Sequence, residues 1–165
     1  MGLFPTRILL ATDGSEEAEL AALKAVDLAQ STDSELHVVH VGVVSLFLLS
    51  YPGTLGDDDK LYEQIEEESR ELLRKLSWQV KAAGGTVAGT HLRMGEVDLE
   101  IAALAKELGA DLIVMGCRGH RGIRRAIEGS ISDGVIRHAP CPVLVVRSHE
   151  SAQDPKWPAL SAGGR

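Results

Sequence analysis

Five short apolar runs alternate with amphipathic stretches along the chain, and glycine or a polar residue closes each run. The runs span residues 7–12, 36–41, 86–92, 112–115 and 143–146, and we expect each to be a strand. A short, continuous apolar run is typical of a strand that is buried on both faces, as in a parallel sheet. The pattern therefore predicts a sheet that is covered by helices on both sides.

Helical periodicity fills the intervals between the predicted strands. Ser15 precedes two acidic residues, which indicates a helix start with a capping hydroxyl, and small residues then recur on one face: Ala18, Ala22, Val26 and Ala29. A longer helix is expected from residues 57–59 to a stop at Gly84, with an apolar stripe formed by Leu61, Ile65, Leu72, Leu76 and Val80.

Two shorter helices complete the pattern. One lies between Gly95 and Gly109, and we expect its inward face to carry Leu99, Ala102, Ala103 and Leu108. The other begins at Ser130 and ends near His138. Strands that alternate with helices predict an α/β fold, here a Rossmann-like, three-layer open sandwich around a five-stranded parallel sheet with right-handed crossovers.

Residues 1–147 are predicted to form one domain, and residues 148–165 a mobile C-terminal tail. The tail has no apolar periodicity, and it contains two prolines and a Gly-Gly pair near its end. In open parallel sheets, ligands bind at the carboxyl ends of strands where the winding direction reverses. We therefore look for function at Asp13-Gly14, after the first strand, and from Gly116 onward, after the fourth.

Charge and composition narrow the classes of function. The 165 residues carry 24 acidic and 17 basic side chains, a formal charge of -7, which argues against a protein that coats nucleic acid. No apolar run reaches the roughly 18–20 residues that a membrane span needs, and no secretory signal precedes the first strand. Two cysteines cannot by themselves build a disulfide scaffold or a four-ligand zinc site. We expect a cytoplasmic protein with no membrane or nucleic-acid partner.

The loop after the fourth strand has the composition of a phosphate-binding site. Gly116 and Gly119 leave backbone N–H groups uncovered and permit positive φ. Gly129 and Ser130 lie at the start of a helix whose N-terminus attracts anions. Residues 116–125 contain four arginines and no acid, so this loop carries +4 within an acidic chain. The Walker pattern is absent because its lysine is missing. The loop predicts a cradle for a polyphosphate.

The spacing Gly116-x2-Gly119-x9-Gly129-Ser130 resembles the ATP-binding signature of the universal stress protein family. Segments 8–15 and 139–146 resemble the two ends of that family, so the resemblance covers about residues 5–147 in order. It implies an adenine nucleotide alpha hydrolase-like fold and a bound ATP, with Mg²⁺ carried by the nucleotide. Some family members lack the signature and do not bind ATP, whereas this chain keeps every signature position.

The resemblance implies a set of nucleotide-binding residues. Asp13 matches the family's acidic residue near adenosine and the metal-bound phosphates, with Thr12 beside it, and Val41 matches the position that flanks adenine. Met115 and Gly116 would form the floor under the nucleotide. The phosphate side would be formed by Gly119, Gly129, Ser130, Ile131 and Ser132. Arg118, which the signature does not require, is expected to add positive charge there.

The resemblance also implies a partner. Members of the family commonly form homodimers by pairing their last strands, which here are Val143, Leu144, Val145 and Val146. ATP occupancy would shift the population of conformations that such a stress-response or signalling module offers to other proteins.

The residues leave several alternatives open. Asp13 could be only a turn-former before Gly14, Ser130 only a helix cap, and the arginines only a solvated loop. We expect Cys117 to be a small buried thiol rather than a redox sensor. The chain could instead be a slow ATPase or phosphotransferase, a nucleotide-independent dimeric scaffold, or a protein that binds AMP or cyclic AMP.

No set of side chains predicts a dedicated enzyme. His120 and His138 have no nucleophile or orienting partner that the sequence assigns to them. The other histidines do not show metal-ligand spacing: His37, His40, His91 and His149. We therefore expect no catalytic residue and no metal held by protein ligands.

Overall fold

One parallel sheet contains all five strands. The structure is a computed structural model that describes residues 5–43, 58–117 and 130–147, with the side chains at 58, 59, 61 and 130 outside the description. Its elements in chain order are β1 (Arg7–Ala11), α1 (Glu16–Thr32), β2 (Glu35–Gly42), α2 (Asp58–Ala82), β3 (Gly89–Met94), α3 (Val97–Leu108), β4 (Leu112–Gly116), α4 (Ser130–His138) and β5 (Val143–Val146).

The strand order produces one reversal of winding. The strands lie in the order β3-β2-β1-β4-β5, and all neighbours are parallel. The chain builds outward from β1 through β2 to β3, and then crosses to the other side of β1 for β4 and β5. The reversal therefore lies between β1 and β4, where open α/β sheets bind ligands at the carboxyl ends of their strands.

Helices cover both faces of the sheet. Ile8 and Leu10 point to one face of β1, and Leu9 and Ala11 to the other, because successive strand side chains alternate. The first face packs against α1 and α2, and the second against α3 and α4. The predicted three-layer sandwich is confirmed. None of the described helices is long and apolar enough to cross a membrane.

Helix α1 begins and packs as its sequence predicts. The Ser15 hydroxyl accepts a hydrogen bond from the Ala18 N–H at 3.2 Å, which caps the helix. The buried face carries small side chains: Ala18, Ala21, Ala22, Ala25 and Val26. Small side chains let the helix axis lie close to the sheet, and this closeness becomes important at the carboxyl end of β4.

The inward face of α3 differs from the predicted one. Ala102 is buried as expected and Leu108 is half-buried, but Leu99 is 44% exposed and Ala103 is also exposed. The buried face consists of Ile101, Ala102, Leu104 and Ala105. This helix has apolar side chains on several sides, so periodicity alone does not predict which side faces the sheet. In the structure the sheet packs against the side that carries Ile101 and Leu104.

The third strand is shifted from residues 86–92 to Gly89–Met94. Ala88 donates to the Leu36 carbonyl, and the ladder then runs from Gly89 opposite His37 to Met94 opposite Gly42. The pattern of apolar residues does not predict that the strand continues to Met94, because β3 is an edge strand and accepts a charged residue. Arg93 lies within it and forms an ion pair with Glu107 on α3.

The apolar stripe of α2 is broader than predicted. Leu76 and Val80 are buried as expected, Ile65 and Leu72 are half-buried, and Leu73 is also buried. The side chain of Leu61 lies outside the described residues.

A histidine pair joins β2 and β3 on the face that α3 covers. His37 Nδ1 lies 3.2 Å from His91 Nε2, although 54 residues separate them in sequence. Partial burial lowers the pKa of His91, and the nearby His37 and Arg93 lower it further, whereas Glu107 opposes them. His91 therefore makes the stability of the sheet edge sensitive to pH.

We predict that His91 makes the protein less stable as the pH falls. Because its pKa is below 6.5 in the folded chain, the unfolded chain binds the proton more readily. Its contribution is complete above about pH 6.5 and is lost as the pH falls through the lowered folded-state pKa. Urea unfolding between about pH 7.5 and 5 should show a smaller loss in His91→Gln than in the wild type. Thr90→Ala should behave as the wild type, and equal losses in all three would contradict the prediction.

Candidate functional site

The carboxyl ends of β1, β2 and β4 bring five predicted site residues to one edge of the sheet. The register pairs Ala11 with Met115 on one side and with Val39 on the other. Consequently Thr12 and Asp13 leave the sheet beside Gly116, and Val41 extends β2 alongside them. Thr12, Val41 and Met115 are buried, and Asp13 is half-buried.

A network of backbone hydrogen bonds fixes the turn after β1. Thr12 N–H donates to the Val39 carbonyl at 2.9 Å, and the Thr12 hydroxyl accepts from Gly14 N–H at 3.2 Å. Gly14 has φ of 77°, a conformation that favours glycine. The Asp13 carboxylate accepts from Ser15 N–H at 3.0 Å. Asp13 therefore stabilises the turn, which is one of the two roles expected of an Asp-Gly pair at this position. The turn in return fixes the Asp13 carboxylate at the end of the strand.

His40 on β2 contacts this turn, and the sequence pattern did not identify it. Its Nδ1 lies 2.8 Å from the Thr12 carbonyl oxygen. A carbonyl only accepts, so this nitrogen carries the proton and donates. The signal lies in the register of β1 against β2, which places residue 40 beside residue 12 and which hydrophobic patterning does not reveal. His40 thus orients the backbone that leads into Asp13.

Gly116 has a packing role that the sequence pattern did not predict. It is not among the glycines with positive φ in the described chain, so the expectation of a special backbone conformation at this position is wrong. A Cβ here would lie 2.8 Å from the Glu17 carbonyl carbon and 3.0 Å from the Ala18 nitrogen. The missing side chain therefore lets the first turn of α1 approach the end of β4.

The predicted phosphate side is described in part. Ser130 begins α4, as predicted, Ser132 is buried, and Ile131 is 44% exposed. Arg118, Gly119 and Gly129 lie outside the described residues, as does the side chain of Ser130. Cys117, expected to be buried, is half-buried, and its N–H donates to the Val146 carbonyl at 2.8 Å. The backbone of β5 therefore supports the chain where the loop begins.

A separate groove of about 540 Å³ lies between α2 and the edge strand β3. It contains none of the predicted site residues. Its lining is Arg70, Leu73, Arg74, Ser77, Trp78, Lys81, Thr90 and Leu92. Arg70 and Arg74 form ion pairs with glutamates on their own helix, so much of the groove's positive charge is compensated.

Comparisons with known proteins agree with the fold. Residues 5–147 match the Universal stress protein family. A universal stress protein of Staphylococcus haemolyticus is 41% identical over 148 residues, which are 89% of this chain and 87% of the relative.

Two solved structures extend the comparison to the fold. The universal stress protein UspA from Lactobacillus plantarum superposes with a TM-score of 0.74 at 28% identity, over 88% of this chain and all of that one. A universal stress protein from Archaeoglobus fulgidus in complex with dAMP has a TM-score of 0.61 at 24% identity, over 88% of this chain and 97% of its own. At that identity the second similarity concerns the fold alone.

We predict that Gly116→Ala lowers the free energy of unfolding by about 1–3 kcal/mol, because the added methyl group must displace the backbone of α1. Gly89→Ala is the matched control. The atoms nearest to its Cβ belong to the imidazole side chains of His37 and His91 rather than to the backbone of a helix. Urea unfolding of both variants checks this, and a loss at Gly89 as large as at Gly116 would contradict it.

Proposed function

The chain belongs to the universal stress protein family, and from that premise we propose that it binds ATP at the carboxyl ends of β1 and β4. Mg²⁺ would arrive with the nucleotide. The convergence of Thr12, Asp13, Val41 and Met115 beside Gly116 at the winding reversal is the observation that carries this proposal.

The proposed chemistry assigns different parts of the nucleotide to different strand ends. The buried Val41 and Met115 offer apolar surface to adenine. The Asp13 carboxylate can accept hydrogen bonds from ribose hydroxyls, and such charge-assisted bonds are strong. Phosphates would be bound by Gly119, Gly129, Ser130 and Ser132 at the N-terminus of α4, with Arg118 and its neighbours adding positive charge.

The proposed activity is binding rather than turnover. Asp13 is the acidic residue at the strand ends, and its carboxylate is already engaged by the turn backbone. ATP binding would act by favouring one conformation of a cytoplasmic signalling module, in proportion to its different affinities for the two states. The alternative of a slow ATPase predicts phosphate release in a single-turnover assay with labelled ATP over hours, and binding without turnover predicts none.

We predict that Asp13→Asn weakens ATP binding roughly tenfold or more, because the loss of a charged hydrogen-bond acceptor costs about 1.5–3 kcal/mol. Asp33→Asn is the matched control, since Asp33 lies at the far end of α1 with φ of 53°, a conformation that asparagine also adopts. Isothermal titration calorimetry of the full chain with MgATP measures both.

Two results would contradict the proposal of an ATP site. One is a wild-type dissociation constant weaker than about 1 mM. The other is an equal affinity in the wild type and Asp13→Asn. Competition by AMP, cyclic AMP and dAMP then identifies the nucleotide, because the adenosine pocket alone does not distinguish them.

We also propose a homodimer that pairs β5 with its counterpart. In the described chain β5 pairs with β4 on one side. Leu144 on this strand is 38% exposed and Ile136 on the neighbouring α4 is 55% exposed. An unpaired strand edge beside exposed apolar side chains favours association between copies.

We predict that Leu144→Asp converts a dimer into a monomer, because it places two carboxylates in the proposed strand pairing. Leu99→Asp is the matched control, since Leu99 is a comparably exposed leucine on α3. Sedimentation equilibrium measures the mass of each variant. A monomeric wild type, or a dimer that survives Leu144→Asp, would contradict the proposed interface.

A further inference from the structure

The histidine pair on β2 and β3 has the geometry of a metal chelate. Strand pairing places His37 opposite Gly89 and His91 opposite Val39, so the two histidines lie diagonally on adjacent strands. Their facing nitrogens, His37 Nδ1 and His91 Nε2, are 3.2 Å apart and share a hydrogen bond, which a bound metal ion would replace. Two imidazoles at about 2.0–2.1 Å from one tetrahedral ion have nitrogens about 3.3 Å apart. The observed separation fits joint coordination of one ion.

The second nitrogen of His37 supports the same interpretation. His37 Nε2 is buried and has no hydrogen-bond partner among the described residues, although Glu35 Oε2 lies 3.6 Å away. When a metal binds Nδ1, the proton of the neutral ring must lie on Nε2, where it can donate to that carboxylate. Metal-bound histidines commonly donate their other N–H to a carboxylate in this way. Metal binding at Nδ1 would therefore direct the Nε2–H toward a carboxylate 3.6 Å away, which a small movement of either side chain brings within hydrogen-bond distance.

Glu35 is itself held in place. Arg7 Nε lies 2.8 Å from Glu35 Oε2 and forms an ion pair with it. The carboxylate is therefore fixed beside His37, where it can accept from an imidazole N–H.

Gly89 leaves the space beside the two nitrogens open. A Cβ at this position would lie 2.9 Å from His37 Nδ1 and 3.2 Å from His91 Nε2. Any side chain at residue 89 would thus occupy the space between the rings and the backbone of the edge strand. The backbone of Gly89 is not in the left-handed region, so conformation does not require glycine here.

We propose that His37 and His91 bind one divalent first-row transition metal ion, of the imidazole-preferring class that includes Zn²⁺ and Cu²⁺. In the described part of the chain, no group of three or more His, Cys, Asp or Glu residues could hold a metal. Water completes the coordination, so the ion exchanges readily and the fold does not depend on it. Arg93, two residues along β3 from His91, is paired with Glu107, which reduces its repulsion of a bound ion.

The test uses the full chain without an affinity tag. Zn²⁺ binding is measured by competition with a colorimetric chelator, and electron paramagnetic resonance of the Cu²⁺ complex counts the imidazole nitrogens that coordinate the ion. The variants are His91→Gln on the edge strand, Gly89→Ala, which keeps both histidines, and His138→Gln as the matched control. His138 also neighbours a carboxylate, with its Nδ1 3.2 Å from Asp98 Oδ2.

The expected result is one ion per chain with two coordinated imidazoles. That binding should be lost in His91→Gln, weakened at least tenfold in Gly89→Ala, and unchanged in His138→Gln. Circular dichroism confirms that each variant is folded before binding is measured. The proposal is overturned if the wild type binds no ion tighter than about 1 mM. Equal binding in folded Gly89→Ala, or loss of the two-imidazole signal in His138→Gln, also overturns it.

Discussion

Pairing of β1 with β4 is the constraint on which the rest of the site depends. The register that sets Ala11 beside Met115 requires β4 to return to the opposite side of β1 from β2, which creates the reversal of winding. It also brings the end of β4 under the first turn of α1. Only a residue without a Cβ fits there, so Gly116 links strand pairing to helix packing. The turn that holds Asp13 connects β1, which pairs with β4, to α1, which packs against Gly116.

Local signals in the sequence were sufficient to predict most of the elements. The capping hydroxyl of Ser15 and the runs at β1 and β5 report interactions between near neighbours, so the pattern along the chain records them. The inward face of α3 could not be predicted, because an apolar helix offers several faces and the sheet selects one. The shift of β3 has a similar cause: an edge strand is not constrained to be apolar throughout.

In the candidate site, the pattern along the chain predicted only the residues that directly follow a strand. Asp13 and Gly116 were identifiable because each directly follows a strand. His40 was not, since its contact with the Thr12 carbonyl depends on the pairing of β1 and β2. The same limit applies to His37 and His91, which strand pairing brings together across 54 positions. The two proposed sites share β2, with His37 near its start and Val41 near its end.

Nuclear magnetic resonance of the ¹⁵N-labelled full chain, titrated with MgATP, tests the central claim most directly. The account predicts that amide signals at residues 12–14, 41 and 115–117 shift on addition of nucleotide. It also predicts that signals near the starts of the strands, at residues 35–37 and 89–91, do not move. Shifts concentrated in the groove between α2 and β3, or no saturable shift at the strand ends, would contradict it.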